Sequence, residues 1–211
     1  MTGQSAPPRS IKLTYFDFHG GRGEAARIAL SVAGIPFEDD RVVFATWAAL
    51  KPTTPFGGLP MLEVDGRRLS QSNAINRYVG RLAGLYPEDA WEAARCDEIM
   101  DAVESLYGDM TPSFGMKGDA QKAERERLVA GPIPLYLRGL AGLLGDREWF
   151  VDGRLTMADL KVAETVRHLS SGRLDHIPTD LVENVAPTLA ALRKRVVEHP
   201  GVRAYYTRFG L

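Results

Sequence analysis

The chain has 211 residues, of which 45% are hydrophobic and 25% are charged, a globular balance that excludes a largely disordered protein. Its 26 basic and 27 acidic residues give a formal net charge of −1, so no global field favours nucleic acid or an anionic membrane as a partner. No apolar run approaches the roughly 20 residues of a membrane span, and the polar start lacks a secretory signal. A single cysteine, Cys96, excludes an intrachain disulfide and favours a cytoplasmic location, and the four scattered histidines predict no metal site.

The first half of the chain predicts a strand, a helix and a second strand. Ile11–Phe16 is rich in β-branched and aromatic residues, which is typical of a strand. A glycine loop follows, and then apolar residues recur at the helical spacing until Gly34. Phe37–Val43 is predicted as a second strand, parallel to the first because a helix crosses between them.

The next segment predicts a hairpin and a helix. Trp47–Leu50 is at most a short helix. Leu59–Val64 and Arg67–Gln71 are predicted strands, joined by the two-residue turn signal Asp65-Gly66. Ser72 is a good N-cap for the helix that follows. The order βαβ, then ββα, predicts a mixed four-stranded sheet with helices on its faces, a thioredoxin-like layout.

The second half predicts helices only, so the fold class is α/β plus all-α. Trp91–Met110 is a long amphipathic helix, and Pro132 and Pro134 must kink or split the helical stretch Ala120–Leu144. The TMAD sequence at Thr156–Asp159 resembles a capping box. Two further helices are expected at Pro187–Val197 and Val202–Tyr206. The predicted domains are a disordered tail at 1–9, a thioredoxin-like domain at 10–85 and an all-α domain at 91–211.

The end of the first strand carries a tyrosine where a thioredoxin-like layout usually suggests a cysteine. Tyr15 stands there, and Cys96 is the only cysteine of the chain. Any thiol chemistry at this place therefore requires a thiol that arrives on a ligand.

Several segments agree in order and spacing with one known family. They are KLTYF with RGEAAR soon after, TWAALKPTTPFGGLPMLEVDG, LSQSNAINRYV, the TMAD cap and the HPGVRAYY end. On these motifs the chain resembles the cytosolic glutathione transferases over Ile11–Leu211, and its first half is most similar to the sigma class, which includes haematopoietic prostaglandin D synthases. The resemblance implies an enzyme with glutathione as co-substrate and no permanently bound cofactor, which adds the thiolate to apolar electrophiles as a homodimer.

Tyr15 is the residue to which the resemblance assigns catalysis. A thiol with a pKa near ~8.5 is only a few per cent ionised at pH 7. A phenol that donates a hydrogen bond to the sulfur stabilises the thiolate, and a phenol pKa near ~10 keeps the proton in place. Thr14 is an alternative hydroxyl, expected to point to the opposite face of the sheet.

The resemblance also implies a glutathione site formed by Tyr15, Arg22, Trp47, Lys51, Gly58, Leu59, Pro60, Gln71, Ser72 and Asp101. A cis bond between Leu59 and Pro60 would leave the Leu59 backbone free to pair with the tripeptide like an added strand. Gln71 and Ser72 would hold the γ-glutamyl carboxylate at a helix N-terminus, where unpaired N–H groups favour an anion.

The two remaining contacts involve opposite charges. Trp47 and Lys51 would reach the glycyl carboxylate, for which lysine is a plausible point-charge partner. Asp101 would cross the dimer interface to the γ-glutamyl amine of the partner's glutathione, with Asp97 as the alternative.

The resemblance implies that the electrophile pocket adjoins the loop after Tyr15 and the first helix of the all-α domain. Candidate residues are Arg22, Ser105, Tyr107, Gly108 and Thr111, with Phe209 and Leu211 as caps. The loop from Phe16 to Gly21 is about one residue longer than the sigma pattern, which leaves the position of Arg22 open. Two alternative functions use the same fold: a glutathione-dependent isomerase, and a crystallin- or ligandin-like protein without turnover.

Overall fold

A computed structural model describes residues 8–211 of the chain. The predicted disordered tail, residues 1–9, lies outside this range apart from Pro8 and Arg9. The backbone N–H groups of Arg9 and Ser10 donate to Asp65 Oδ1 at 3.0 and 2.9 Å, which ties the start of the described chain to the hairpin turn.

The first part of the chain forms a mixed four-stranded sheet in the order β2-β1-β3-β4. The strands are β1 (Ile11–Phe16), β2 (Glu38–Val42), β3 (Met61–Val64) and β4 (Arg67–Ser70). β2 runs parallel to β1 and β3–β4 is an antiparallel hairpin, as predicted; β1 also pairs antiparallel with β3. Asp65 and Gly66 have φ values of 48° and 78°, and these left-handed conformations are the ones that a two-residue hairpin turn requires.

Three helices accompany the sheet: α1 (Glu24–Val32), α2 (Phe44–Leu50) and α3 (Ser72–Leu82). Gly34, with φ 65°, ends the α1 segment as predicted. α2 begins three residues before the predicted Trp47, and its residues all stay at least partly exposed, so it has no buried stripe that a periodicity search would detect.

The prediction of Ser72 as an N-cap is wrong. Gln71 occupies the cap position with φ 72°, and Ser72 is the first helical residue. The Ser72 hydroxyl instead donates to a carboxylate of a neighbouring helix.

The remainder of the described chain is helical, with α4 (Ala90–Met110), α5 (Gly118–Ala130), α6 (Pro132–Leu144), α7 (Met157–Leu169), α8 (Leu181–Val185), α9 (Pro187–Glu198) and α10 (Pro200–Phe209). The predicted split at Pro132 is confirmed, because α5 and α6 are separate. α8 was not predicted, and α10 is longer than Val202–Tyr206 because Pro200 occupies its first turn, where no N–H donor is needed. No helix within residues 8–211 has the length and apolarity of a membrane span.

α7 lies at the centre of this helical part. It packs against α4, α9 and α1, and every one of its residues is buried except Arg167 and His168. Its start is the predicted capping box: the N–H and the hydroxyl of Thr156 both donate to Asp159 Oδ2 at 2.8 Å. The Phe150 N–H donates to the other carboxylate oxygen at 3.0 Å. Burial raises the pKa of Asp159 to about 6, against the opposing effect of these hydrogen bonds.

Replacing Asp159 with alanine removes the acceptor of two buried backbone N–H groups at once. We expect Asp159→Ala to lower the free energy of unfolding by about 2 kcal/mol or more, since a lost cap costs roughly 1 kcal/mol and each orphaned buried donor adds to it. Urea denaturation measures this change. Asp146→Ala, at an exposed position, is the control. Equal stabilities of the two variants would contradict the role given to the capping box.

Candidate active site

Tyr15 lies at the end of β1 with only 6% of its surface exposed. Its phenolic oxygen accepts a hydrogen bond from the Arg22 backbone N–H at 3.0 Å, and the Arg27 guanidinium carbon lies 5.6 Å from its ring centroid. Burial raises the pKa of Tyr15, although the Arg22 hydrogen bond and the charges of both arginines oppose this effect. The phenol therefore keeps its proton at neutral pH and can donate it in a hydrogen bond to a ligand.

Thr14 does not compete with Tyr15. Its hydroxyl donates to Asp40 Oδ2 at 2.8 Å, across to the parallel neighbour β2, so the expectation that it points away from Tyr15 is confirmed.

The glycine loop packs directly on Tyr15. A Cβ atom at Gly21, where φ is 67°, would lie 2.5 Å from the Tyr15 hydroxyl oxygen, and one at Gly23 would lie 2.5 Å from Tyr15 Cγ. Both distances are far below van der Waals contact, so only glycine permits this approach. The longer loop thus still delivers the Arg22 N–H to the tyrosine.

A cleft of about 270 Å³ lies next to Arg22. Its walls bring together six predicted site residues from three separate segments, with three further residues, Phe56, Ser70 and Glu104: the lining is Arg22, Phe56, Gly58, Leu59, Pro60, Ser70, Gln71, Ser72 and Glu104. The Leu59–Pro60 bond is cis, as predicted. Gln71 adopts the left-handed region that non-glycine residues rarely occupy, a feature that clusters at ligand sites.

Glu104 is a part of this cleft that the sequence reasoning did not assign. Its Oε1 accepts hydrogen bonds from Ser72 Oγ and Lys161 Nζ, both at 2.6 Å, and its Oε2 accepts one from Arg22 Nε at 2.7 Å. Burial disfavours the charged form, but the Lys161 ammonium and the other donors hold the pKa of Glu104 below its usual value. A carboxylate therefore stands beside the start of α3.

Asp97, Asp101 and Glu104 form an acidic row on α4, and this row faces α3 of the same chain. Asp97 accepts from Arg77 Nε at 2.7 Å and from the Tyr86 hydroxyl at 2.8 Å. Asp101 accepts from the Asn73 side-chain amide, and its other oxygen lies 3.7 Å from Arg77 Nη2. The Asp101 side chain remains 61% exposed. The regular acidic spacing was visible in the sequence, but the α3 partners were not.

Trp47 and Lys51, both predicted site residues, are not among the residues that line the cleft. The Trp47 ring packs edge-on against Phe16, the residue after Tyr15, with centroids 5.3 Å apart. Lys51 is exposed. Its Cε lies 3.3 Å from the position that a Cβ atom at Gly57 would occupy, and Gly57 precedes Gly58 of the cleft wall.

The candidate electrophile-pocket residues divide into two groups. The Tyr107 ring is buried and lies 5.2 Å from the Arg22 guanidinium carbon, so these two meet close to Tyr15. The other group is exposed along and just after α4: Ser105, Gly108 and Thr111. The hydroxyls of this second group already donate to backbone carbonyls one helical turn earlier.

The two caps predicted for the pocket are half-exposed at the end of the chain. The Phe209 ring lies 4.7 Å from the His19 ring, which places it against the loop after Tyr15. Leu211 follows with 44% of its surface exposed.

Both parts of the chain match models of a known protein family. Residues 11–81 match the family model described as glutathione S-transferase, N-terminal domain, and residues 109–208 match the model described as glutathione S-transferase, C-terminal domain. Glutathione S-transferase 1 of Ascaris suum is 37% identical over 90% of this chain and 96% of its own.

Two further relatives are prostaglandin synthases. Hematopoietic prostaglandin D synthase of Gallus gallus is 36% identical over 93% of this chain and 94% of its own. The solved structure of prostaglandin synthase D of Nilaparvata lugens covers 94% of this chain and 97% of its own, at a TM-score of 0.83 and 30% identity.

The chain belongs to the glutathione S-transferase family. The predicted fold class, the predicted likeness to the sigma class and the predicted enzyme activity, glutathione transfer, are confirmed.

The close approach of the glycine loop gives a test of how Tyr15 is placed. Gly23→Ala should displace the Tyr15 ring, lower the free energy of unfolding by about 1–3 kcal/mol as overpacking does, and reduce glutathione-conjugating activity. Gly139→Ala is the control, because no described residue lies within 4 Å of a Cβ there and alanine favours the α6 helix. Full activity and stability of Gly23→Ala would show that the loop does not position Tyr15.

Proposed function

We propose that the protein conjugates reduced glutathione to apolar electrophiles and that Tyr15 ionises the bound thiol. The observation that supports this role best is the Tyr15 hydroxyl, a buried and protonated phenol whose oxygen is held by the Arg22 N–H. We infer a cytoplasmic, detoxifying role, consistent with a single buried cysteine that needs no oxidising compartment.

The reaction needs little beyond a thiolate at the correct place. The phenolic oxygen accepts from Arg22, so its proton is left to donate to the glutathione sulfur. Each unit by which this lowers the thiol pKa corresponds to about 1.4 kcal/mol. The thiol proton passes to solvent, the thiolate attacks the electrophilic carbon, a C–S bond forms, and any leaving group departs with its electron pair. No covalent enzyme intermediate is required.

We infer a partner for each part of glutathione, some in the cleft wall and some outside its lining. The Leu59 backbone would pair with the cysteinyl peptide, and Gln71 with the Ser72 backbone N–H at the start of α3 would hold the γ-glutamyl carboxylate. Trp47 and Lys51 would hold the glycyl carboxylate. The electrophile would lie against Tyr107 and Arg22, bordered by the exposed residues Ser105, Gly108, Thr111, Phe209 and Leu211.

A second function uses the same glutathione site. Two of the relatives are named prostaglandin D synthases, so a glutathione-dependent isomerase is the alternative. Product analysis separates the two, because conjugation consumes glutathione and isomerisation regenerates it. A crystallin- or ligandin-like protein without turnover would not need a buried phenol donor beside the cleft.

Tyr15→Phe removes one oxygen and tests the mechanism. If the hydroxyl lowers the thiol pKa by ~2 units, turnover at pH 7 should fall by roughly 10²-fold or somewhat less, while glutathione affinity is retained. Activity should partly return as the pH rises toward the pKa of the free thiol. Ultraviolet titration of the bound thiolate and pH–rate profiles measure this, with Tyr136→Phe as control. Equal thiolate pKa values in wild type and Tyr15→Phe would assign activation to another group.

We also infer a homodimer in which Asp101 reaches the γ-glutamyl amine of the partner's glutathione. Asp101→Ala should weaken glutathione binding by ~1–2 kcal/mol, the scale of a charge-assisted hydrogen bond, whereas Asp97→Ala should leave it unchanged. Calorimetry measures the affinities, and sedimentation measures the mass at assay concentration. A fully active monomer would overturn the shared site.

A further inference from the structure

A lysine from the helical core reaches the wall of the cleft. Lys161 lies in the middle of α7, its side chain is only 4% exposed, and its ammonium donates to Glu104 Oε1 at 2.6 Å and to the Asn73 side-chain oxygen. A buried ammonium costs several kcal/mol unless it is paired and hydrogen-bonded. Its two acceptors lie on α4 and α3, so this side chain joins three helices.

Glu104 collects donors from three separate parts of the chain. Lys161 and Ser72 donate to one carboxylate oxygen and Arg22 to the other, so the carboxylate is bound from both sides. Two cations, Lys161 and Arg22, contact the Glu104 carboxylate, and Asp101, bonded to Asn73, adds a second negative charge in a partly buried wall where charges are only weakly screened. Because Glu104 and Ser72 line the cleft, this charge cluster lies next to the start of α3.

The network continues from Glu104 through Arg22 to Tyr15, which does not itself line the cleft. Arg22 is held through its side chain by Glu104, and its backbone N–H donates to the Tyr15 hydroxyl oxygen at 3.0 Å. The side chain that Glu104 anchors and the N–H that orients Tyr15 thus belong to the same residue.

We propose that Lys161 is a positioning residue, which by holding the Glu104 carboxylate keeps Ser72 in place at the start of α3 and Arg22 in place beside Tyr15. This inference rests on the proposed function, since it assumes that glutathione occupies the cleft. Without the ammonium, the Glu104 carboxylate loses a donor and its balancing charge, and it can turn toward solvent, to which it is already 25% exposed. Ser72 and Arg22 then lose their common anchor.

The test is a double-mutant cycle on the pair, with glutathione as the probe. Lys161→Met should raise the glutathione Kd about tenfold, which is about 1.4 kcal/mol, and should raise the pKa of the bound thiolate. In a Glu104→Gln background the same change should alter the Kd less than twofold, because the anion that Lys161 holds is already gone. Calorimetry gives the Kd, and ultraviolet titration gives the thiolate pKa.

Two further variants separate positioning from general stability. Arg125 is a second buried cation of the helical part, bonded to the Asp175 carbonyl, so Arg125→Met should lower stability without changing the glutathione Kd. If Lys161→Met alone does not fold, the double variant with Glu104→Gln also removes the carboxylate charge that is left without its partner. Lys161→Gln, which retains a hydrogen-bond donor, then replaces Lys161→Met in the measurement of the glutathione Kd and the thiolate pKa.

The outcomes distinguish this inference from the function on which it rests. If the wild type does not bind glutathione at all, the proposed function and this inference fall together. If the wild type binds and Lys161→Met has the same Kd and thiolate pKa, only the role of Lys161 is wrong. Equal losses in the wild-type and Glu104→Gln backgrounds would also overturn it, since Lys161 would then act without Glu104.

Discussion

The hydrogen bond from the Arg22 N–H to the Tyr15 hydroxyl is the contact on which the site depends. In this bond the phenolic oxygen is the acceptor. Burial keeps the phenol protonated, so the hydroxyl proton can still be donated to a ligand. The bond exists only because Gly21 and Gly23 let the loop backbone lie against the tyrosine ring. A loop one residue longer than the sigma pattern is therefore compatible with the site, because packing rather than loop length fixes the donor.

A second constraint joins the sheet to the helical part. Side chains at the start of α3 and on the loop after β1 meet the acidic row of α4, and Lys161 from the core helix α7 closes the cluster from behind. Buried charges are costly unless each finds a partner, so this interface has little freedom to shift without losing several bonds at once. The cleft is thus supported by the helices that also provide the candidate electrophile pocket.

The sequence was sufficient for the features that depend on local chemistry. Turn residues such as Asp65-Gly66 and the capping box at Asp159 have short-range signals, and the strand and helix periods indicated a mixed four-stranded sheet, although not its strand order. It was insufficient where a partner is distant in the chain: Ser72 reads as an N-cap, but its hydroxyl bonds Glu104, which is 32 residues away. Lys161 is one of several polar residues in the sequence of α7, and only the packing of α7 shows that it is buried and paired.

The decisive test of the role of Tyr15 is the distance from its hydroxyl oxygen to the glutathione sulfur in a crystal structure of the complex. We expect a hydrogen bond of roughly 3.0–3.5 Å between these two atoms, with the Arg22 N–H still donating to the same oxygen and the γ-glutamyl carboxylate at the start of α3. A sulfur bound instead by another donor, with Tyr15 outside hydrogen-bond distance, would contradict it.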